Sequence, residues 1–203
     1  PWAPILRMFI EDPKEVISIL DELYYDNERY VTRSVSNCLN DIGKSHPILV
    51  IETLTKWEQE EKQNPKEFAW IKRHALRTLI KKGHSETLEF LGFKQALEID
   101  CLLELESNEV ILGDYIKFNT TLESKEANNL VVDYIIHFMK ANGKTRPKIF
   151  KLRTFHLEAN KKVVLSKRHF IGSLSTRKIY KGIHKVEIQV NGKILALMCF
   201  EVK

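Results

Sequence analysis

Acidic residues all but vanish from one stretch of this sequence: between positions 140 and 193 only Glu158 and Glu187 stand against 15 lysines and arginines. Such an excess creates a field that attracts polyanions. A lysine-protected β surface is the plainer reading of any one of these cations, but the whole stretch points to a nucleic-acid surface. The first 93 residues, with 13 Lys/Arg against 15 Asp/Glu, show no such bias. Cysteine is scarce as well. Cys38, Cys101 and Cys199 are an odd number without short spacings, which argues against a disulfide framework and a zinc site. They are expected to be buried thiols in a reducing compartment, with the cytoplasm as the address. No apolar run reaches the roughly 18 residues that a spanning helix needs, so no membrane partner is expected. No signal-like stretch follows Pro1. The seven histidines lack ligand spacing, and Gly-rich phosphate loops, Gly-x-Ser-x-Gly and Cys-x-x-Cys are all missing. Neither a metal nor a cofactor is expected, and most familiar enzyme classes are weakened.

What is present falls into two halves. Up to about residue 92 the apolar residues recur at helical spacing. Asp12-Pro13 opens a first helix, and a second runs from Glu28 to Ile42 and stops at Gly43. A third covers Pro47 to Glu60. After Gln63-Asn64-Pro65 a fourth runs from Glu67 to Lys82 and stops at Gly83, with a short last helix over Glu86–Leu91. Shifting the chain by 40 residues lays Tyr30 on Trp70, Arg33 on Arg73, Leu39 on Leu79, Gly43 on Gly83 and Ser45 on Ser85. A helix-pair period of this length is that of HEAT-like repeats, which stack one face against neighbours and expose another. Pro1-Trp2-Ala3-Pro4 reads like the middle of a solenoid, so the chain is expected to be the C-terminal part of a longer protein.

Beyond Gly92 the period becomes two. Seven strands are predicted: 96–105, 110–122, 130–141, 148–157, 163–171, 185–190 and 194–202, with Asn142-Gly143 and Asn191-Gly192 as hairpin turns. Seven strands in this length fit an antiparallel, immunoglobulin-like (Ig-like) β-sandwich. All three tryptophans precede this half, so the antibody-type Cys–Trp–Cys core is missing. The expected fold is therefore α + β in two domains, HEAT-like repeats over 1–93 and a basic Ig-like sandwich over 94–203, in a monomer.

Two polar stripes accompany the apolar faces. Arg33, Asn37, Asp41 and Lys44 follow one another at i, i+4, i+8 and i+11 along one side of the second helix. Trp70, Arg73, His74, Arg77 and Lys81 repeat the pattern on the fourth. A solvated outer stripe of an amphipathic helix explains either one alone. Their repetition favours a shared surface on which Arg and Lys hold phosphates and Trp70 stacks or packs on a sugar or base. Asp41 lies near a helix C-terminus, where a carboxylate opposes the dipole. Pairing with Arg33 or Lys44 would account for it, as would a role in stabilising a cationic transition state.

Three segments carry a family resemblance: Pro1-Trp2-Ala3-Pro4, residues 30–47 (YVTRSVSNCLNDIGKSHP) and residues 70–93 (WIKRHALRTLIKKGHSETLEFLGF). Together they resemble the AlkC/AlkD family of DNA alkylation repair glycosylases, in particular its AlkC branch. The resemblance implies helical repeats around double-stranded DNA carrying alkylated bases. It implies cleavage of the N-glycosidic bond of N3-alkylated bases, such as 3-methyladenine or 3-methylcytosine, without a deep base-flipping pocket. It would make Asp41 the carboxylate facing the developing sugar cation and place Trp2 near the lesion. Arg33, Arg73 and Arg77 would hold phosphates, with the basic tail against the duplex. The family's upstream repeats, which bring a further catalytic acid, are not in these 203 residues. A non-catalytic module that binds DNA or protein through the same repeats is the competing expectation.

Overall fold

The computed structural model describes residues 7–94, 98–172 and 178–203. The chain divides into two compact units between Phe90 and Leu91.

Seven helices build the first unit among the described residues: α1 Arg7–Glu11, α2 Lys14–Leu23, α3 Arg29–Ile42, α4 Pro47–Glu60, α5 Pro65–Ala75, α6 Arg77–Lys82 and α7 Ser85–Phe90. Their starts follow local chemistry. Asp12 accepts from Lys14 N at 3.3 Å at the head of α2. Asn64 accepts from Lys66 N at 2.9 Å while Pro65 takes the first helical position of α5, two residues earlier than the periodicity suggests.

The expected fourth helix is in fact two. Leu76 leaves the helical region at φ −92°, ψ 3°, ending α5, and Asn40 of α3 offers Oδ1 to Thr78 N at 3.2 Å, so the orphan amide of the new helix is satisfied from the neighbouring repeat. The repeat-related glycines also part company. Gly83 closes α6 in the left-handed region (φ 70°). Gly43 closes α3 with ordinary right-handed dihedrals; its reason is space, since a Cβ there would stand 3.2 Å from Leu39 O and 3.4 Å from Leu79 Cδ1.

The unit is layered: α3 packs along α5 and touches α2 and α4, while α4 packs against α7 and reaches α2 through side chains. Trp57 of α4 is the anchor of the second layer. Its ring stacks on Tyr24 at 4.3 Å and its Nε1 donates to Asp21 at 2.6 Å, while Tyr24 donates its hydroxyl to Glu60 at 2.8 Å. The polar tips of Trp57 and Tyr24 thus both find partners.

The second unit is an Ig-like β-sandwich of eight strands among the described residues, one more than predicted: β1 Ile99–Leu105, β2 Glu109–Val110, β3 Asp114–Ser124, β4 Asn128–Met139, β5 Thr145–Leu157, β6 Lys161–Ile171, β7 Gly182–Val190 and β8 Lys193–Val202. The predicted strand over 110–122 splits at Gly113, whose φ of 101° interrupts it. One sheet runs β1-β3-β6 and the other β2-β8-β7-β4-β5, antiparallel except for β2 against β8.

Both Asn-Gly pairs do turn hairpins, each in its own way. Asn191 and Gly192 both take positive φ, 44° and 83°, as a tight two-residue turn requires. Gly143 alone does so in the longer β4–β5 turn, where Gly143 N donates to Lys140 O at 3.0 Å and Lys140 N to Lys144 O at 2.8 Å. Asn191 is buried and ties this end of the sandwich together, accepting from Val131 N and donating to the carbonyls of Lys94 and Asn129.

The core draws on both sheets, with Phe118, Leu122, Val132, Tyr134, Ile136, Val186, Ile188 and Phe200 at its centre. Aromatic contacts occupy the place of a disulfide and tryptophan: Tyr134 stacks on Phe150 at 5.1 Å and meets Phe118 edge-on. Burial pushes the Tyr134 phenol up to about 12, and its hydroxyl shares a hydrogen bond with His169 Nδ1 at 2.9 Å. The cysteines are all free, but only Cys38 and Cys101 are half-buried. Cys199 is exposed, against expectation, because it alternates with the inward Met198 and Phe200 of β8. Among the described residues no helix is long and apolar enough to cross a membrane.

Candidate nucleic-acid interface

α3 and α5 pack through Val35 and Leu39 on one side and Ile71 and Ala75 on the other. Along the seam their polar stripes interlock. Asn37 Oδ1 accepts from Arg77 at 3.1 Å and from His74 Nε2 at 3.0 Å, and Arg77 also donates to the His74 carbonyl. His74 stacks on Trp70 at 4.5 Å and 12°. The Arg29 guanidinium lies 4.1 Å from the same indole and is held by Glu67, whose other oxygen accepts from the buried Thr32 at 2.6 Å. Burial, helped by the charges of Arg77, Arg33 and Arg29, holds the His74 imidazole below its ordinary value. The three guanidiniums therefore form one local electropositive field around a neutral imidazole.

Of the predicted residues, the structure brings together Arg33, Asn37, Trp70, His74 and Arg77. Arg33 and Arg73 are exposed and have no ion-pair partner among the described residues. Arg77 is bonded only to neutral acceptors and keeps its charge uncompensated. Lys81 is exposed at the far end of α6. Trp70 is half-buried, with Arg29 and His74 against its ring, so the indole is engaged by the protein itself instead of being offered to a base as predicted. Asp41 continues the Arg33–Asn37 row by one more turn and is exposed, with Lys44 paired to it at 2.5 Å. That ion pair answers the unfavourable dipole. Trp2 lies outside the described residues.

Sequence reasoning missed Arg29, Thr32 and Glu67. A 40-residue shift sets Arg29 on Ala69, so the repeat comparison carried no signal for it. Only the packing of α3 on α5 brings Glu67 to Arg29.

The sandwich keeps most of its positive charge. Among the described cations between 140 and 193, only Lys151, paired with Asp133 at 3.2 Å, and Lys185, paired with Glu187 at 2.7 Å, meet an acid. Burial alone would raise Glu187, but Lys185 and His137 (2.8 Å) hydrogen-bond to it and hold it below the usual carboxylate range.

Comparison with known proteins follows both units. The profile of the family described as "Uncharacterised protein YhaZ, C-terminal Ig-like domain" matches residues 101–203. The uncharacterized protein YhaZ of Bacillus subtilis (strain 168) is 32% identical over 203 residues, which are 100% of this chain and 56% of that protein. The structure of Pseudomonas fluorescens alkylpurine DNA glycosylase AlkC bound to DNA containing an abasic site analog is similar over 100% of this chain and 56% of its own, with 38% identity and a TM-score of 0.92. The chain thus spans a little over half the length of these relatives.

Proposed function

Since the chain belongs to the YhaZ family with its C-terminal Ig-like domain, and is a homologue of AlkC over its whole length, we propose that it is the C-terminal part of a DNA glycosylase that releases N3-alkylated bases from duplex DNA. The observation that carries this reading is the row Arg33–Asn37–Asp41. It places one exposed carboxylate a single helical turn beyond a cluster of cations, in a chain similar throughout to a glycosylase bound to DNA.

The chemistry suits that arrangement. Alkylation at N3 makes the base cationic, so it departs as a neutral molecule with the electron pair of the C1′–N bond, and the sugar develops oxocarbenium character. A carboxylate near C1′ stabilises that charge and orients the water that adds to C1′ and then loses a proton. Arg33, Arg73 and Arg77 hold the strand by its phosphates, which positions the nucleotide without reading its sequence. Lys44 would release Asp41 to a phosphate when the duplex docks, because an exposed ion pair in water contributes no more than about 1 kcal/mol.

The test is base release from duplex carrying 3-methyladenine or 3-methylcytosine, measured with the full-length protein. Asp41→Asn is expected to slow release on the order of 100-fold or more while duplex affinity stays within a few-fold. Release at the parental rate would remove Asp41 from the chemistry. A second reading, a DNA-binding relative without chemistry, draws on the Asp41–Lys44 pair, and it predicts no release from either substrate by the parent.

A further inference from the structure

Asn40, the residue before Asp41, is a buried amide where the repeat sets an apolar side chain: the 40-residue shift lays it on Ile80. We propose that Asn40 is a positioning residue of the candidate site. It locks the last turn of α3 to the first turn of α6, so that the Asp41 carboxylate and the Arg77 guanidinium meet the nucleotide as one rigid pair. The inference rests on the reading of Asp41 as the carboxylate that faces the sugar, and it assigns a residue that acts through Asp41 instead of touching DNA.

Consecutive residues of a helix point about 100° apart, and here the two directions differ in what they meet. Asn40 is 4% exposed and turned toward α6, whereas the side chain of Asp41 is 70% exposed. Asn40 Oδ1 accepts from Thr78 N at 3.2 Å, and one turn earlier Asn37 Oδ1 accepts from the Arg77 guanidinium at 3.1 Å. Two amides of α3 thus hold two successive residues of α6, one by its side chain and one by its backbone. Past Asn40, Gly43 lets Leu79 of α6 approach the end of α3, with Leu79 Cδ1 3.4 Å from where a Cβ would stand. The end of α3 is therefore tied to α6 at positions 37, 40 and 43, and Asp41 lies between the last two.

Capping is the plainer account of an asparagine bonded to the first turn of a helix. It gives no reason for the acceptor to come from another helix. A serine or aspartate at the N-cap position would serve α6 from its own chain, yet Leu76 stands there and offers no side-chain acceptor. A helix running unbroken through Leu76 would need no cap at all. What the break and the borrowed acceptor achieve together is a fixed relation between two helices that carry the carboxylate and the guanidinium. Arg77 also donates to the His74 carbonyl, so the first residue of α6 is bound back to α5 as well as across to α3. Such rigidity matters to the chemistry, because a misplacement of about 1 Å can cost on the order of 100-fold in rate.

The experiment measures single-turnover base release from duplex carrying 3-methyladenine or 3-methylcytosine by the full-length protein, beside duplex affinity and the denaturation midpoint. Asn40→Leu, of similar volume but without the acceptor, is expected to slow release about 10- to 100-fold while affinity stays within about 3-fold. Asn40→Asp, which keeps an oxygen for Thr78 N at the positive end of α6, is expected to return the rate to within about 5-fold of the parent. In an Asp41→Asn background, Asn40→Leu is expected to cost less than about 2-fold, since a residue that acts through Asp41 has nothing left to position. Leu54→Ala, which truncates a fully buried side chain of α4, is the control for lost stability. It is expected to lower the midpoint and leave release unslowed at temperatures where the variant is folded. Should Asn40→Leu not fold, Asn40→Ser, whose hydroxyl is too short to span the gap, enters the same comparisons. Parental release by the Asn40 variant, equal losses with and without Asp41, or a loss matched by Leu54→Ala would overturn the positioning role alone. Parental release by Asp41→Asn, or no release by the parent, would overturn both that role and the reading beneath it.

Discussion

Asn37 Oδ1 accepts from Arg77 and from His74. Because a guanidinium can only donate, the shared atom is the oxygen, and His74 carries its proton on Nε2. Burial and the charges of Arg77, Arg33 and Arg29 hold the imidazole below 6.5, so it is neutral at physiological pH. A histidine so depressed binds its second proton more readily in the unfolded chain. Its contribution to stability is therefore complete above about pH 6.5 and is lost as pH falls from there through the lowered folded value. A phosphate docked on Arg33 and Arg77 reverses the local sign, lifting His74 and drawing in a proton on binding. Duplex affinity is thus expected to rise as pH falls from 7.5 to 5.5, by at most about 10-fold per pH unit for one proton. His74→Gln can keep the donor to Asn37 but not the titration, so the gain should shrink in that variant; an equal gain in both would exclude His74 from the contact. None of this was legible beforehand. The sequence showed His74 in a polar stripe, but not that Asn37, one repeat earlier, would fix its tautomer.

At the scale of elements, what was readable is what local chemistry dictates. Pro47 and Asn64-Pro65 start helices, Asn191-Gly192 turns a hairpin, and alternation marks seven strands to within a few residues. What was not readable depends on a partner remote in sequence. Nothing around Leu76 breaks the helical pattern, since the break is stabilised by Asn40 of another helix. Gly43 and Gly83 look equivalent under the repeat, yet one supplies room and the other a backbone conformation. Their substitutions should therefore invert. At Gly83, asparagine tolerates the left-handed conformation better than alanine, so Gly83→Asn is expected to be the milder change, with Gly83→Ala costing about 1 kcal/mol. At Gly43 the dihedrals suit any residue and the obstacles are Leu39 O and Leu79 Cδ1, so Gly43→Ala should be the milder and Gly43→Asn the worse, by about 1 to 3 kcal/mol of overpacking. Denaturant midpoints of the four variants check the crossing. The same rank order at both positions would mean that one mechanism serves both glycines.

Across the whole molecule the net charge of +5 conceals where the charge is. The helical half is near neutral yet sets Arg33 and Arg77 along one seam, and the stretch from 140 to 193 of the sandwich is basic, with only Lys151 and Lys185 meeting an acid among the described residues. Composition revealed the second fact but not the first, because a seam between α3 and α5 exists only once they pack. The kind of recognition follows from what those side chains have left to offer. Asn37, the stripe residue whose amide could pair with an adenine edge, has its carbonyl oxygen already taken by Arg77 and His74. Arg33, Arg73 and Arg77 remain, and they suit phosphates. Binding to undamaged duplex should then be almost indifferent to sequence and steeply dependent on salt. With about four to six phosphates neutralised, the slope of log K against log salt is expected near −4 to −5, and affinity should fall about 10²- to 10³-fold between roughly 50 and 200 mM. Titrations of A·T-rich and G·C-rich duplexes of equal length at several salt concentrations measure both quantities together. A slope near zero, or a preference of more than about 10-fold between the two duplexes, is incompatible with recognition through the backbone, because phosphates release counterions but carry no base identity.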